Sequence, residues 1–584
     1  MPLYHNSHSP ACRNPVGPVR TGQAVVLRLL GAKDLIRADV RLWDGQTART
    51  LPMNRVDESV FEAVIPMPQQ PGLMWYDFRA VDRDGRARAY GNAPDGLGGT
   101  GQEQDCPHAF QITVYDGGYA TPSYLWDGIM YQIFPDRFRR TGALRATRPG
   151  QVLHENWDDP PVLTPAPGIE NTASDFYGGT LRGIREKLSM LKEMGVTVLY
   201  LNPIFLSRSN HRYDTGDYTR VDPMLGDEAD FADLCRAAEE MGMRIVLDGV
   251  FSHTGDDSVY FNKYGAFPDV GAYQSKDSPY YPWFSFEHYP DKYKCWWDFQ
   301  NLPTVNKTDE SYRRFICGSD GVARRWLRAG ASGWRLDVAD ELPMAFLRSL
   351  RTAVKAEKPD ALLLGEVWED ASHKTAYGEM RCYCCGDTLD SVMNYPLRTV
   401  LIDFLTHRAT ARDVYRLLRS QQENYPAPFL YALMNLTGSH DRARTINTLA
   451  GRDFSDIPYA RRGEGRLTEA EYALGKARYL TMLRALCALP GMPCIYYGDE
   501  AGMTGGSDPY CRGPYPWGHE DEDLKRQVAA LLQERLRSPA LRTGRLELFV
   551  PDEDTLLIIR TIDKDRDVFG RPFPDESRSV TIRR

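Results

Sequence analysis

The sequence predicts an α/β fold: a TIM-type (β/α)8 barrel with an inserted lobe after its third strand, an amino-terminal β-sandwich and a short carboxyl-terminal β domain. Three observations carry this expectation. Short apolar runs alternate with amphipathic helical stretches from residue 118 to 538, the grammar of parallel strands joined by helices. Residues 1–117 instead show short alternating strands broken by turn signals. From residue 539 the alternating pattern returns for a short stretch, 539–584.

In the amino-terminal region the strands are Val25-Val26-Leu27-Arg28-Leu29, Val40-Arg41-Leu42-Trp43 and Val60-Phe61-Glu62-Ala63-Val64-Ile65. Asp44-Gly45 and Asp84-Gly85 supply turns, so a sandwich is expected. In the barrel region the buried-strand runs are 129–134, 196–201, 244–248, 333–337, 361–366, 391–394, 433–436 and 493–497. Between them, Leu181, Ile184, Leu188 and Leu191 mark one helix face, with Gly195 as its cap. A second helix runs through Phe231 and Leu234 to Gly242, and a third carries Trp326 and ends at Gly330. The stretch 254–325 is rich in Tyr, Trp, Pro and Asp and is read as a functional lobe, because long structureless insertions are uncommon.

Bulk properties exclude several classes. At 584 residues the chain exceeds one core and must divide into domains. Its net charge of −8 argues against a nucleic-acid partner, which needs a basic face. No apolar run reaches the roughly 18 residues that span a bilayer, and the start Met1-Pro2-Leu3-Tyr4-His5 lacks a signal-peptide pattern, so a cytoplasmic location is expected. The 11 cysteines read as reduced thiols. Cys382, Cys384 and Cys385 cluster, but no CxxC pair or partnering His pattern is read beside them, so zinc is not expected.

The chemistry is expected at the carboxyl-terminal ends of the barrel strands. Asp248, Asp337, Glu366 and Asp441 follow apolar runs there, accompanied by Arg335, His253 and His440. Carboxylates in such places cost free energy unless they are paired or chemically employed. A set of carboxylates with an arginine and histidines, without a metal motif or phosphate loop, suits glycosidic cleavage. One carboxylic acid protonates the leaving oxygen, and one carboxylate attacks or activates water. An adjacent arginine keeps a nucleophile ionised.

These residues sit in segments that resemble the α-amylase superfamily, glycoside hydrolase family 13. They are Asp248-Gly249-Val250-Phe251-Ser252-His253, Gly333-Trp334-Arg335-Leu336-Asp337-Val338-Ala339-Asp340-Glu341, Gly365-Glu366-Val367-Trp368 and Gly438-Ser439-His440-Asp441. A first-strand segment, Tyr131-Gln132-Ile133-Phe134-Pro135-Asp136-Arg137-Phe138, and an eighth-strand segment, 491–500, are similar to the family's motifs as well. The resemblance implies Asp337 as nucleophile, Glu366 as acid/base and Asp441 as the third carboxylate, gripping the sugar's hydroxyls. It implies that Arg335 orients Asp337, that Asp248, His253 and His440 line the sugar site, and that Tyr213 in the loop 211–218 stacks on the sugar. Trp368 is expected to floor the leaving-group side as an acceptor platform.

The sandwich, the 211–218 loop and Val392-Met393-Asn394-Tyr395-Pro396 most resemble the neopullulanase, cyclomaltodextrinase and maltogenic amylase group, together with amylopullulanase-type enzymes. That implies an α-glucan substrate with α-1,4 and possible α-1,6 cleavage, and an amino-terminal domain that binds glucan or forms a homodimer. The alternatives are a transglycosylase of the same fold and, more remotely, a non-catalytic amylase-like binding protein. Ser252 stands where the family usually has Asn, and Arg139-Arg140-Thr141-Gly142-Ala143 lacks acidic ligands. No obligatory calcium, and no other cofactor, is therefore expected.

Overall fold

The computed structural model describes residues 2–31, 33–166 and 171–584. At its centre eight parallel strands form one sheet: β1 (Met130–Ile133), β2 (Val198–Leu201), β3 (Arg244–Gly249), β4 (Gly333–Leu336), β5 (Leu362–Gly365), β6 (Ser391–Val392), β7 (Met434–Leu436) and β8 (Met492–Tyr496). Strands β1 to β6 pair in chain order, and β8 bridges β1 and β7. The ring closes where the Asn394 N–H donates to the Met434 carbonyl at 2.9 Å, beside a parallel bridge between Met393 and Met434.

Strand alternation sorts the side chains. Leu199, Leu201, Ile245, Leu247, Trp334, Leu336 and Leu363 face the surrounding helices. Met130, Val198, Tyr200, Val246, Leu362, Leu364, Met434 and Met492 fill the barrel instead. The same period of two carries the inward face past this apolar plug. Gln132 therefore follows Met130, Asp248 follows Val246, and Glu366 follows Leu364, all at the carboxyl-terminal end. The helices end as expected: Gly195 at φ 111° closes Leu188–Met194, and Gly242 at φ 70° follows Glu228–Glu240.

The inserted lobe carries two small hairpins, Phe286–His288 with Lys292–Tyr293 and Cys295–Trp296 with Phe299–Pro303. Its core is aromatic, with Phe261 4.7 Å from Tyr293 and Tyr260 5.3 Å from Trp283. Tyr312 ties the lobe to the end of β3 by donating to the Phe251 carbonyl at 2.9 Å. The second hairpin overhangs the barrel mouth, with Trp296 5.6 Å from His253.

The amino-terminal region forms two sheets around Val25, Leu27, Val40, Phe78 and Ile112. It is bolted to the barrel by buried Arg13, which donates to Glu423 Oε1 and to the Gln111 carbonyl, both at 2.9 Å. At the other end three antiparallel strands, Arg545–Asp552, Thr555–Ile562 and Glu576–Arg583, make a small sheet. Nearby, Phe569 stacks on Trp126 at 3.7 Å.

The expectation for the cysteines fails. Cys382 and Cys385 form a disulfide, with Cα atoms 6.2 Å apart, whereas all cysteines were expected as thiols. The run Cys382-Tyr383-Cys384-Cys385 does contain the C-x-x-C spacing, and Cys384 remains a buried thiol between the two. Among the described residues no helix is long and apolar enough to cross a membrane.

Candidate active site

The barrel mouth opens into a cleft of about 350 Å³ lined by Tyr213, His253, Asp337, Glu366, His440 and Asp441, among others. Arg335 organises its floor. Its register places it beside Asp248 across the β3–β4 pair. Nη1 donates to Asp248 Oδ1 at 2.8 Å and to Asp337 Oδ1 at 2.9 Å, while Nη2 pairs with Glu366 Oε2 at 2.7 Å. One guanidinium thus spans three carboxylates.

Glu366 is held from two sides. Oε2 accepts the Val338 N–H at 2.8 Å, and Oε1 accepts the Trp368 indole N–H at 3.1 Å. Val338 reaches this position at φ 38°, a left-handed conformation that a β-branched residue adopts at a cost of about 1–3 kcal/mol. Strain at this point aims a backbone donor at a carboxylate.

A second network fixes Tyr213. The Gln132 and Asn202 amides donate to His440 Nδ1 at 2.9 and 3.1 Å. Nε2 then carries the His440 proton toward Tyr213 Oη at 2.7 Å, and the Tyr213 hydroxyl donates to Asp248 Oδ2 at 2.8 Å. Tyr200 donates to the same oxygen at 2.6 Å. The Tyr213 hydroxyl also accepts from the Asn202 amide at 2.9 Å, so the ring, which lies parallel to His440 5.2 Å away, cannot swing without breaking three polar contacts. Burial keeps His440 neutral, well below the usual imidazole range, and brings His253 down to about 3. Both His253 nitrogens are engaged, Nδ1 by the Ser252 hydroxyl at 3.0 Å and Nε2 by the Tyr213 carbonyl at 3.1 Å.

The electrostatics follow from many anions and one central cation. Burial pushes Asp337 well above the usual carboxylate range, Arg335 opposes it, and Glu366 and Asp248 add to it. Asp248 is raised, again chiefly by burial against Arg335. Asp441 is pushed up to about 7, by burial first and by Glu366 second. Burial thus raises Asp337, Asp248 and Asp441 together, with Arg335 opposing the rise in each.

The structure brings together the three carboxylates with Tyr213, Asp248, His253, Arg335 and His440. Asp441 departs in detail: it lies in the loop five residues beyond the last residue of β7, Leu436, rather than on the strand end. Trp368 departs in kind. Its indole is stacked on Tyr395 at 3.9 Å and 5°, and its other face carries the Arg442 guanidinium 4.4 Å from the ring centroid. It touches the site through its N–H edge, not an open face.

Sequence reading missed several participants. Gln132 and Asn202 sit where strand alternation points inward, a signal that was available. Asp508 and Arg512 had no periodic signal. Arg512 pairs with Asp508 at 2.9 Å, donates to the His440 carbonyl at 2.9 Å and approaches Asp441 at 3.7 Å.

Comparison with known proteins places this geometry. The profile of the alpha amylase catalytic domain matches residues 132–544. An amylopullulanase of Thermoanaerobacterium saccharolyticum is 37% identical over 100% of this chain and 48% of its own length. The chain thus spans about half of that relative. A cyclomaltodextrinase of Geobacillus thermopakistaniensis is 33% identical over 79% of this chain and 72% of its own. Among solved structures, the type III pullulan hydrolase of Thermococcus kodakarensis superposes with a TM-score of 0.65 at 26% identity, covering 100% of both chains.

Proposed function

The chain belongs to the α-amylase family, and from that premise we propose that it is a retaining glycoside hydrolase. It cleaves α-1,4 glucosidic bonds, and α-1,6 bonds as well, in maltooligosaccharides, cyclodextrins, pullulan or starch fragments. The observation that carries this reading is the single Arg335 guanidinium touching Asp337 and Glu366 at 2.9 and 2.7 Å. Retaining pairs stand closer together, at about 5–5.5 Å, than inverting pairs, and two carboxylates drawn to one guanidinium suit the closer arrangement. The relatives whose names include pullulanase, cyclomaltodextrinase and pullulan hydrolase support the substrate class. A non-catalytic role is disfavoured, because such a role gives no reason to collect costly buried carboxylates around one cation.

In this reading Tyr213 supports the face of the sugar whose bond is cut, and Asp441 grips its hydroxyls. Glu366 gives its proton to the leaving oxygen as Asp337 Oδ attacks the anomeric carbon. Arg335 and Asp248 hold Asp337 in line. Glu366, now ionised, takes a proton from the incoming water, and the ester to Asp337 breaks with its electron pair returning to the carboxylate. Proton NMR of the first products should show the α anomer; the β anomer appearing first would overturn retention.

We also propose that catalysis needs no obligatory calcium. Ser252 stands where the family usually has Asn and directs its hydroxyl to His253. Activity should survive exhaustive dialysis against EDTA, and recovery only on adding calcium would refute this. For the amino-terminal sandwich the reading is glucan binding or dimerisation. Trp43, 41% exposed and 4.8 Å from Trp75, offers an aromatic surface for either partner. Nine of the 11 cysteines are free, which supports a cytoplasmic location.

A further inference from the structure

An indole beside the acid would ordinarily present a flat apolar face to a sugar, yet neither face of Trp368 is bare. The inner face is closed by Tyr395, itself 2% exposed and anchored through a 3.2 Å contact between its hydroxyl and Ser439 Oγ. The outer face is covered by Arg442, whose Cζ lies 4.4 Å from the ring centroid. Among the described residues the Arg442 side chain makes no ion pair and no hydrogen bond, so Trp368 is its one recorded partner. Trp368 is partly exposed and Arg442 exposed, so the stack meets solvent.

The position of this stack is fixed by Glu366. Oε2 of that residue faces Arg335 and, through it, Asp337, while Oε1 faces the Trp368 N–H. The stack therefore borders Glu366 on the side away from the nucleophile. An acceptor must approach Glu366 from a side that Arg335 and Asp337 leave open, and the Trp368 edge lies on such a side.

We propose that Arg442 is a specificity-determining residue for the second half of the reaction: it covers the platform on which an acceptor sugar would stack, and so favours water over a sugar hydroxyl. The proposal rests on the hydrolase reading above. In both outcomes the attacking oxygen forms a bond to the anomeric carbon, its proton passes to Glu366, and the bond to Asp337 breaks with its electron pair returning to the carboxylate. The difference lies only in whether that oxygen belongs to water or to a sugar. A sugar ring gains from stacking its C–H face on an aromatic plane, whereas a hydrated guanidinium offers hydrogen bonds that water satisfies equally well.

The test is the ratio of lengthened to hydrolysed products from concentrated maltotriose, a quantity independent of how much enzyme is folded. Arg442→Ala should raise the ratio about two- to fivefold, the factor by which an exposed cation–π contact biases an equilibrium. Arg442→Gln, a planar cover without charge, should fall between Arg442→Ala and wild type. Adding Trp368→Ala to Arg442→Ala should abolish the gain, because the exposed indole is what the acceptor uses. An unchanged or lower ratio in Arg442→Ala overturns the proposal, as does a gain that survives in the double variant. A wild-type chain that releases no sugar from maltotriose, pullulan, cyclodextrin or an aryl α-maltoside overturns the hydrolase reading and this proposal with it. An active wild type with an unchanged variant ratio overturns this proposal alone.

Discussion

Asp337→Asn should yield a folded chain whose turnover of maltotriose falls by about 10⁴-fold or more, the scale seen when a covalent group working in concert with others is removed. The amide is close to isosteric and can still accept from Arg335 Nη1, which sits 2.9 Å from Oδ1. It cannot form the glycosyl ester, because it carries no charge to attack with. The same change should stabilise the fold. Burial raises Asp337 above its unfolded value, so its ionisation opposes folding. The sign follows from proton counts. Below the unfolded value of about 3.9 both states are protonated and nothing is lost. As pH rises toward the raised folded value the unfolded chain ionises first, and the native state loses stability. Removing Asp337 should therefore raise Tm at pH 7 and change it little near pH 4. Arg335 keeps Asp248 and Glu366 as partners in the variant, so no buried cation is stranded. A variant that retained a large fraction of wild-type turnover would exclude Asp337 as the nucleophile. A variant inactive only because Tm had collapsed would exclude the electrostatic account.

Much of this arrangement is readable in the sequence, and the limits have physical causes. The barrel strands are legible because each is a short apolar run buried on both faces, followed by a polar residue that burial would penalise. Asp248, Asp337 and Glu366 obey that rule, and the structure gathers them on Arg335. Asp441 does not: its place is set by a loop, so the strand grammar misplaces it. Gln132 and Asn202 look like ordinary strand-end amides until the inward period of two is followed past the apolar plug. Contacts made between separate loops leave no trace in spacing. Trp368 meets Tyr395 and Arg442 from three different segments, so an indole expected to be an open platform proves to be covered. Asp508 and Arg512 enter from the long connection after β8 and are equally silent in the sequence. The disulfide is hidden for another reason: a third cysteine lies between Cys382 and Cys385, so the C-x-x-C pair reads as a cluster.

Glu366→Gln should separate the two halves of the chemistry. On maltotriose, whose leaving group is a poor one, rate should fall by about 10²–10⁴-fold, the contribution of a positioned general acid. On an aryl α-maltoside with an acidic phenol the first step needs no protonation, so its loss should be far smaller. The structure indicates how the amide will sit. Oε2 of Glu366 accepts the Val338 N–H at 2.8 Å and lies 2.7 Å from the Arg335 Nη2 cation, so the amide oxygen takes that place. The amide nitrogen then faces the Trp368 N–H, 3.1 Å from Oε1 in the native chain, which sets donor against donor. That mismatch costs about 1–3 kcal/mol if neither group finds water, so a modest fall in Tm is expected alongside the kinetic one. It also gives a control. Trp368→Phe removes the opposing donor and should restore stability to Glu366→Gln without restoring maltotriose hydrolysis. Asp441→Asn provides the contrast, because a group that grips the sugar rather than the leaving oxygen should weaken both substrates alike. Equal losses on maltotriose and the aryl glycoside in Glu366→Gln would remove Glu366 from the role of acid, and a selective loss in Asp441→Asn would transfer that role to Asp441.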